Sequence, residues 1–279
     1  MKELEDRVAV ITGGASGIGE ALVRACGEAG MHCVVADVEA DAAERVAGAA
    51  REQGRRALAV QVDVSKPDSV EALAERCYDE FGACHLLCNN AGVLVMGPLQ
   101  ESSARDWDWL LDVNLRGITY GTEAFLPRML AQQGECHIVN TASLSGLVAL
   151  PGVGIYTTTK FAVVGFSEVL RLDLAGSGIG VSVLCPGGVT TRIMESRRNR
   201  PDAPDPSTIS SQALRRAAAA GDAPENEMIE PDAVARAVLE GVRENAAYII
   251  THPQHRGLVE RRFQSLLAAY DRAAERTAG

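Results

Sequence analysis

Residues 8–19 read VAVITGGASGIG, and the next stretch, EALVRACGEAG, has the spacing of an amphipathic helix. An apolar strand that runs into a glycine-rich turn and then a helix lets the backbone approach a pyrophosphate. The phosphate charge is favoured there by the free N–H groups and dipole of the helix N-terminus. Gly13, Gly17 and Gly19 are the glycines assigned to tight turning and close approach, with Ser16 and Ile18 beside them at the helix start. Three residues separate Gly13 from Gly17, a departure from GxGxxG, so the strand-turn-helix setting carries the assignment more than the glycines do.

Eighteen residues after Gly19, Asp37 ends a second apolar run, CVVAD. An acidic side chain at this place accepts hydrogen bonds from the adenosine ribose hydroxyls of a dinucleotide, and it meets a 2′-phosphate with like charge. Neither Ala15 nor Val38 supplies a cation for such a phosphate, so NAD is expected over NADP.

Outward from this unit, short β-branched runs alternate with amphipathic stretches, the pattern of repeated βαβ units around a parallel sheet. Strands are expected at 8–12, 32–37, 57–63, 85–89, 136–142, 180–185 and 248–250, and helices at 16–29, 40–53, 69–81, 104–130, 156–174 and 231–244. Pro127 should kink or end the 104–130 helix. The fold class expected is α/β: a single Rossmann-like, doubly wound domain over 1–279, its seven-stranded and mostly parallel sheet covered by helices on both faces. Composition changes between 190 and 228, where prolines, Arg197, Arg198, Arg200 and an Ala-rich piece stand before the next clear helix. This segment is expected to be a lid inserted beside a ligand crevice. A C-terminal extension follows after about 251.

With 47% hydrophobic and 23% charged residues the chain can bury a sizeable core. The net charge of −10 argues against a nucleic-acid partner, which would require clustered Lys and Arg. No apolar run is long enough to span a membrane and the opening MKELEDR lacks the form of a secretory signal, so a cytoplasmic protein is expected. The cysteines are odd in number, scattered and without a CxxC pair, as small buried hydrophobes in a reducing compartment would be. There is no HExxH and no paired Cys/His spacing, so no metal is expected.

Tyr156 and Lys160 lie four apart in GIYTTTKFAVVGF, on one face of a helix. A phenol titrates near ~10, too high for an efficient base at neutral pH, and a neighbouring ammonium favours the phenolate. Ser143 follows the strand CHIVNTA, at the end of the sheet where open α/β folds bind ligands; its hydroxyl can orient a substrate oxygen. Ser145 stands close by, and a turn-forming serine is the competing reading of both.

TGGASGIG at 12–19, NNAG at 89–92, Asn114, Ser143, YTTTK at 156–160 and PGGVTT at 186–191 together resemble the short-chain dehydrogenase/reductase family. The resemblance implies a tetrad of Asn114, Ser143, Tyr156 and Lys160. In it Tyr156 takes the hydroxyl proton, Ser143 bonds the same oxygen, Lys160 lowers the phenol pKa and holds the nicotinamide ribose, and Asn114 positions a water. It also implies Asp63 and Val64 beside adenine, Asn90, Ala91 and Gly92 along the middle of the cofactor, and Pro186, Gly187, Val189 and Thr191 at the nicotinamide end. Asn89 is expected to tie strands together. The implied activity is hydride transfer between NAD and a secondary alcohol or ketone. An NADPH-dependent carbonyl reductase and a catalytically silent dinucleotide-binding regulator remain as alternatives. The 190–228 segment is similar to that of members acting on bulky, often aromatic alcohols. The family commonly pairs the helices carrying Asn114 and Tyr156, so a homodimer or homotetramer is expected. His252 and His255 are expected to be surface or packing residues.

Overall fold

The computed structural model describes residues 1–201 and 228–277. Its strands are β1 (Val8–Thr12), β2 (His32–Asp37), β3 (Ala57–Gln61), β4 (Leu86–Asn89), β5 (Cys136–Thr141), β6 (Ile179–Cys185) and β7 (Tyr248–Ile250). They form one sheet in the order β3-β2-β1-β4-β5-β6-β7, every pairing parallel. The chain winds outward from β1 to β3 and then returns to the other side of β1 at β4. At that reversal the connections diverge and leave a crevice at the carboxyl ends of the strands.

The helices are α1 (Gly17–Glu28), α2 (Ala40–Glu52), α3 (Pro67–Phe81), α4 (Ala104–Leu111), α5 (Gly117–Ala131), α6 (Gly154–Asp173), α7 (Pro231–Glu244) and α8 (Arg256–Thr277). Period-two alternation along the strands separates two cores. Ala9, Ile11, Cys33 and Val35 pack with Leu22 of α1, Val46 of α2 and Val238 of α7. Their neighbours Val8, Val10, Val34 and Ala36 pack on the opposite face with Leu73 of α3, Phe125 of α5 and Leu170 of α6. All seven cysteines are free and buried, Cys26, Cys33 and Cys88 in the first core and Cys77, Cys84 and Cys136 in the second.

The expected 104–130 helix is interrupted. A five-residue π turn, Asp112–Arg116, separates α4 from α5 and carries Asn114. Apolar periodicity continues across it, which is why the pattern reads as one helix. Pro127 withholds the N–H that would bond the carbonyl one turn back, and α5 ends at Ala131. Strand β3 stops at Gln61, so Asp63 and Val64 lie in the loop beyond it. Of the expected lid, residues 202–227 lie outside the described residues; 192–199 form a 3-10 segment. The extension after 251 becomes a 3-10 turn, Pro253–His255, and then α8, whose 22 residues bury nothing. Val163 and Val164 of α6 pack within the chain's own core, whereas Val169 and Leu172 are exposed. Among the described residues no helix is long and apolar enough to cross a membrane.

Two helical glycines separate packing from propensity. A Cβ on Gly121 would stand 2.2 Å from Asn89 Oδ1, whereas one on Gly48 meets nothing nearer than Arg51 Nη2 at 3.8 Å. Gly121→Ala should therefore lower the unfolding free energy by about 1–3 kcal/mol, and Gly48→Ala should raise it by about 0.5–1 kcal/mol. Urea unfolding of both variants checks this, and equal effects would contradict it.

Candidate active site

One cleft of about 310 Å³ opens at the reversal of the sheet. Its floor begins at the β1–α1 turn. Gly13 and Gly17 adopt φ of 65° and 54°, in the left-handed region that favours glycine. A Cβ on Gly19 would lie 1.9 Å from Gly13 O, so α1 can approach the turn this closely only without one. Ser16 is the N-cap of α1 and its side chain makes no capping bond. The first N–H groups of any helix lack partners within it, so this end presents donors to the cleft.

Loops from the neighbouring strands wall the turn. Asp37 accepts the N–H of Ala15 at Oδ2 and that of Glu39 at Oδ1, both at 3.0 Å, which locks the end of β2 to the turn. Thr12 Oγ1 accepts the N–H groups of Asn90 and Ala91 at 3.0 and 3.1 Å, and Asn90 Nδ2 donates to Thr12 O. Asp63 Oδ1 accepts the N–H and the hydroxyl of Ser65, shaping the loop after β3. Asn89 donates to Asn140 Oδ1 across β4 and β5.

At the far end of the cleft stand Ser143, Tyr156 and Lys160. Ser143 Oγ accepts the N–H of Ser145 at 3.1 Å. Ser143 lines the cleft together with Tyr156, whereas Ser145 does not border it. Lys160 Nζ donates to Thr141 O at 2.7 Å and lies 5.5 Å from the centroid of the Tyr156 ring. Burial dominates the electrostatics. It pushes the Tyr156 phenol up to about 12, against which the Ser143 hydrogen bond works, and pushes Lys160 down to about 8, against a smaller upward pull from Cys185. Desolvation is the largest cause of both shifts in this structure.

Of the residues expected at the site, Gly13, Ser16, Gly17, Ile18, Asp37, Asp63 and Val64 border the cleft towards β2 and β3. Asn90, Ala91 and Gly92 border its middle, and Ser143, Tyr156, Lys160, Pro186, Gly187, Val189 and Thr191 its other end. Gly19 and Asn114 do not border it. Gly19 is buried beneath Gly13, and fully buried Asn114 lies behind Gly92, at which an added Cβ would be 3.5 Å from both Asn114 Oδ1 and Lys160 Nζ. Asn114 clamps Val93, accepting its N–H at 2.8 Å and donating to its carbonyl at 2.9 Å.

Sequence reading missed the residues that reach the cleft from 192–201. Ser196 Oγ accepts the N–H of Leu94 at 3.1 Å. Arg198 and Asn199 bond Glu39, and Arg200 pairs with Asp106 at 2.5 Å while its guanidinium lies over Trp109. Only the 190–228 composition change pointed to this region. The Asn199 hydrogen bond first, then the charges of Arg198 and Arg192, hold the Glu39 carboxyl below the ordinary glutamate range. The arginines brought near Asp37 thus arrive with a carboxylate already between them. Among the described residues no group of three or more His, Cys, Asp or Glu could hold a metal ion.

The buried ammonium yields a pH test. With a folded pKa near 8 against the ordinary 10.5, the unfolded chain binds more protons between those values. The contribution of Lys160 to stability is therefore present above 10.5 and lost as pH falls through 8. Lys160→Met should be more stable than the wild type at pH 7, by a margin that shrinks towards pH 10. Denaturant unfolding at both pH values checks it, and a constant margin would refute the linkage.

Comparison with known proteins places this architecture. Residues 7–202 match the family described as short chain dehydrogenase. The CLA biosynthesis dehydrogenase/reductase of Lactiplantibacillus plantarum is 33% identical over 274 residues, covering 96% of this chain and 95% of that protein. The C alpha-dehydrogenase of a Sphingobium species is 35% identical over 268 residues, covering 96% and 87%. The crystal structure of a short chain dehydrogenase/reductase from Burkholderia phymatum in complex with NAD is 39% identical with a TM-score of 0.90, covering 96% of this chain and 97% of that one. On its sheet order, its glycine turn and these similarities, the chain belongs to the short-chain dehydrogenase/reductase family of oxidoreductases.

Proposed function

We propose that this protein transfers a hydride between NAD and a secondary alcohol or its ketone, with Tyr156 as the acid/base group. The observation that carries the reading is that Ser143, Tyr156 and Lys160 line the same cleft as the glycine turn, with Lys160 Nζ 5.5 Å from the centre of the Tyr156 ring. The cradle suits a dinucleotide. A Cβ on Gly13 would stand 2.9 Å from Ala91 Cα and one on Gly17 2.9 Å from Thr191 Cγ2, so the turn leaves backbone, not side chains, at the place a pyrophosphate takes. The NAD bound by the similar Burkholderia phymatum enzyme supports the choice of cofactor. When bound, the nicotinamide supplies the carbon that accepts or gives up hydride.

The chain's own residues supply the rest. Gly13, Ser16, Gly17, Ile18 and Gly19 form the phosphate turn, Asp37 takes the adenosine ribose, and Asp63 and Val64 flank the adenine. Asn90, Ala91 and Gly92 border the middle of the cofactor, and Pro186, Gly187, Val189 and Thr191 its nicotinamide end. Tyr156 Oη receives the hydroxyl proton in oxidation and returns it in reduction, while Ser143 Oγ bonds the same substrate oxygen. Lys160 holds a positive charge below pH 8 beside the phenol, favouring its anion as proton transfer proceeds. Asn114 keeps Val93, and with it the loop over Lys160, in place. The substrate proposed is bulky and apolar: Val93, Trp109, Val113 and Ile193 line the same cleft as Tyr156.

The carboxylate of Asp37 favours NAD over NADPH, and Glu39 occupies the arginines that a 2′-phosphate would otherwise engage. Tyr156→Phe should keep NAD binding and lose nearly all turnover, whereas Asp37→Ala should mainly raise the NAD dissociation constant, about tenfold. Titration calorimetry with NAD and NADPH, beside rates on a panel of alcohols and ketones, checks both. Near-normal turnover in Tyr156→Phe would overturn the mechanism; firm NAD binding by the wild type without turnover of any panel member would favour a silent regulator.

The partner proposed is a second copy of the chain. Phe263, Leu266, Leu267 and Tyr270 form an exposed stripe along α8 at helical spacing. The stripe is self-complementary: in an antiparallel two-fold pairing Leu266 faces Leu267, Phe263 faces Tyr270, and Arg262 faces Asp271. Sedimentation equilibrium should find an oligomer that Leu266→Glu with Leu267→Glu reduces in size. A size unchanged by the pair of substitutions would reject this surface.

A further inference from the structure

His252 follows β7 by two residues and is 3% exposed, 65 positions from the turn it touches. Its Nδ1 accepts the N–H of Gly187 at 3.0 Å and its Nε2 lies 2.9 Å from Gly188 O. A backbone N–H only donates and a carbonyl only accepts, so these partners fix a neutral ring with its proton on Nε2. Thr251 Oγ1, 2.8 Å from Nδ1, is a second donor to the same nitrogen. The His255 ring stacks on His252 at 5.4 Å and 9°. The two rings occupy the space beside Gly187: a Cβ there would lie 2.7 Å from His252 Cγ and 2.9 Å from His255 Cε1.

The turn so held is joined directly to the reacting groups. Pro186 O accepts the N–H of Leu144 at 2.7 Å and faces Ser143 Oγ at 3.5 Å. Gly188 O also accepts the N–H of Ile229, 3.1 Å away, so that carbonyl keeps a donor if the imidazole is removed. The Gly187 N–H has its bond to Nδ1. By contrast, the end of the cleft towards β2 and β3 is anchored separately, by Asp37 on Ala15 and Asp63 on Ser65.

We infer that His252 is a positioning residue which, through the Gly187 N–H···Nδ1 bond, sets the turn that borders the nicotinamide end of the cleft and the serine opposite Tyr156. The inference rests on the cofactor reading above. It makes the tail after β7 part of the site's support, although no described residue of the tail lines the cleft.

The experiment compares NADH, which reaches both ends of the cleft, with ADP-ribose, which lacks the nicotinamide. His252→Ala should weaken NADH binding about tenfold and leave ADP-ribose binding unchanged, as expected for a partly buried donor left without its acceptor. His252→Asn places an amide oxygen near the former Nδ1 and should restore NADH binding. His252→Gln reaches towards the Nε2 position instead and should not. Thermal melting of all three variants accompanies the titrations, and should His252→Ala fail to fold, the contrast between Asn and Gln decides. Equal weakening of both ligands, unchanged NADH binding in His252→Ala, or rescue by Gln as good as by Asn would each overturn the inference. A wild type that binds neither ligand would instead bring down the cofactor reading, and this inference with it. A wild type that binds both but turns over no alcohol or ketone removes only the proposed reaction.

Discussion

The approach of α1 to the end of β1 is the constraint on which the rest of the molecule depends. Gly19 lies so close to the carbonyl of Gly13 that a single methyl group would collide with it. That contact brings the N-terminus of α1 to the carboxyl edge of the sheet, where the order reverses between β1 and β4. The cleft opens there because the connections leave in opposite directions, and the loops after β2, β3, β4, β5 and β6 all end around it.

Burial shapes the chemistry of this cleft more than pairwise attraction does. Tyr156 and Lys160 are both withdrawn from water, and each is driven towards its neutral form. Burial pushes the lysine down to about 8 and the phenol up to about 12. Lys160 is tethered to Thr141 O at the end of β5, and the turn that follows, at Ser143 and Leu144, is bonded to Pro186 O. The neighbouring Gly187 is bonded to His252, so these parts of the cleft share one mechanical support.

Much of this was legible in the sequence, and for identifiable reasons. Strands buried on both faces show as apolar runs, so β1 and β2 appear at their observed bounds. The glycine turn is legible because only glycine tolerates its geometry, and the Tyr156–Lys160 pair because one helical turn places the two on the same face. Asp37 is legible because it ends the strand beside the turn. Each of these signals is local, carried by residues within a few positions of one another.

What tertiary structure alone decided involves residues that meet across long separations. The π turn at Asn114 is set by the clamp on Val93, 21 positions earlier, and periodicity cannot register it. Glu39 meets Arg198 across 159 positions, converting a basic cluster that looks free into a paired one beside Asp37. His252 lies in a tail with no local sign of purpose and is given one by Gly187, which folding brings beneath it. Local sequence determined the strands, the turn and the side chains proposed to react, because steric and hydrophobic patterning act between neighbours. Their titration and support were left to the fold, because desolvation and long-range hydrogen bonds exist only after the chain has closed around them.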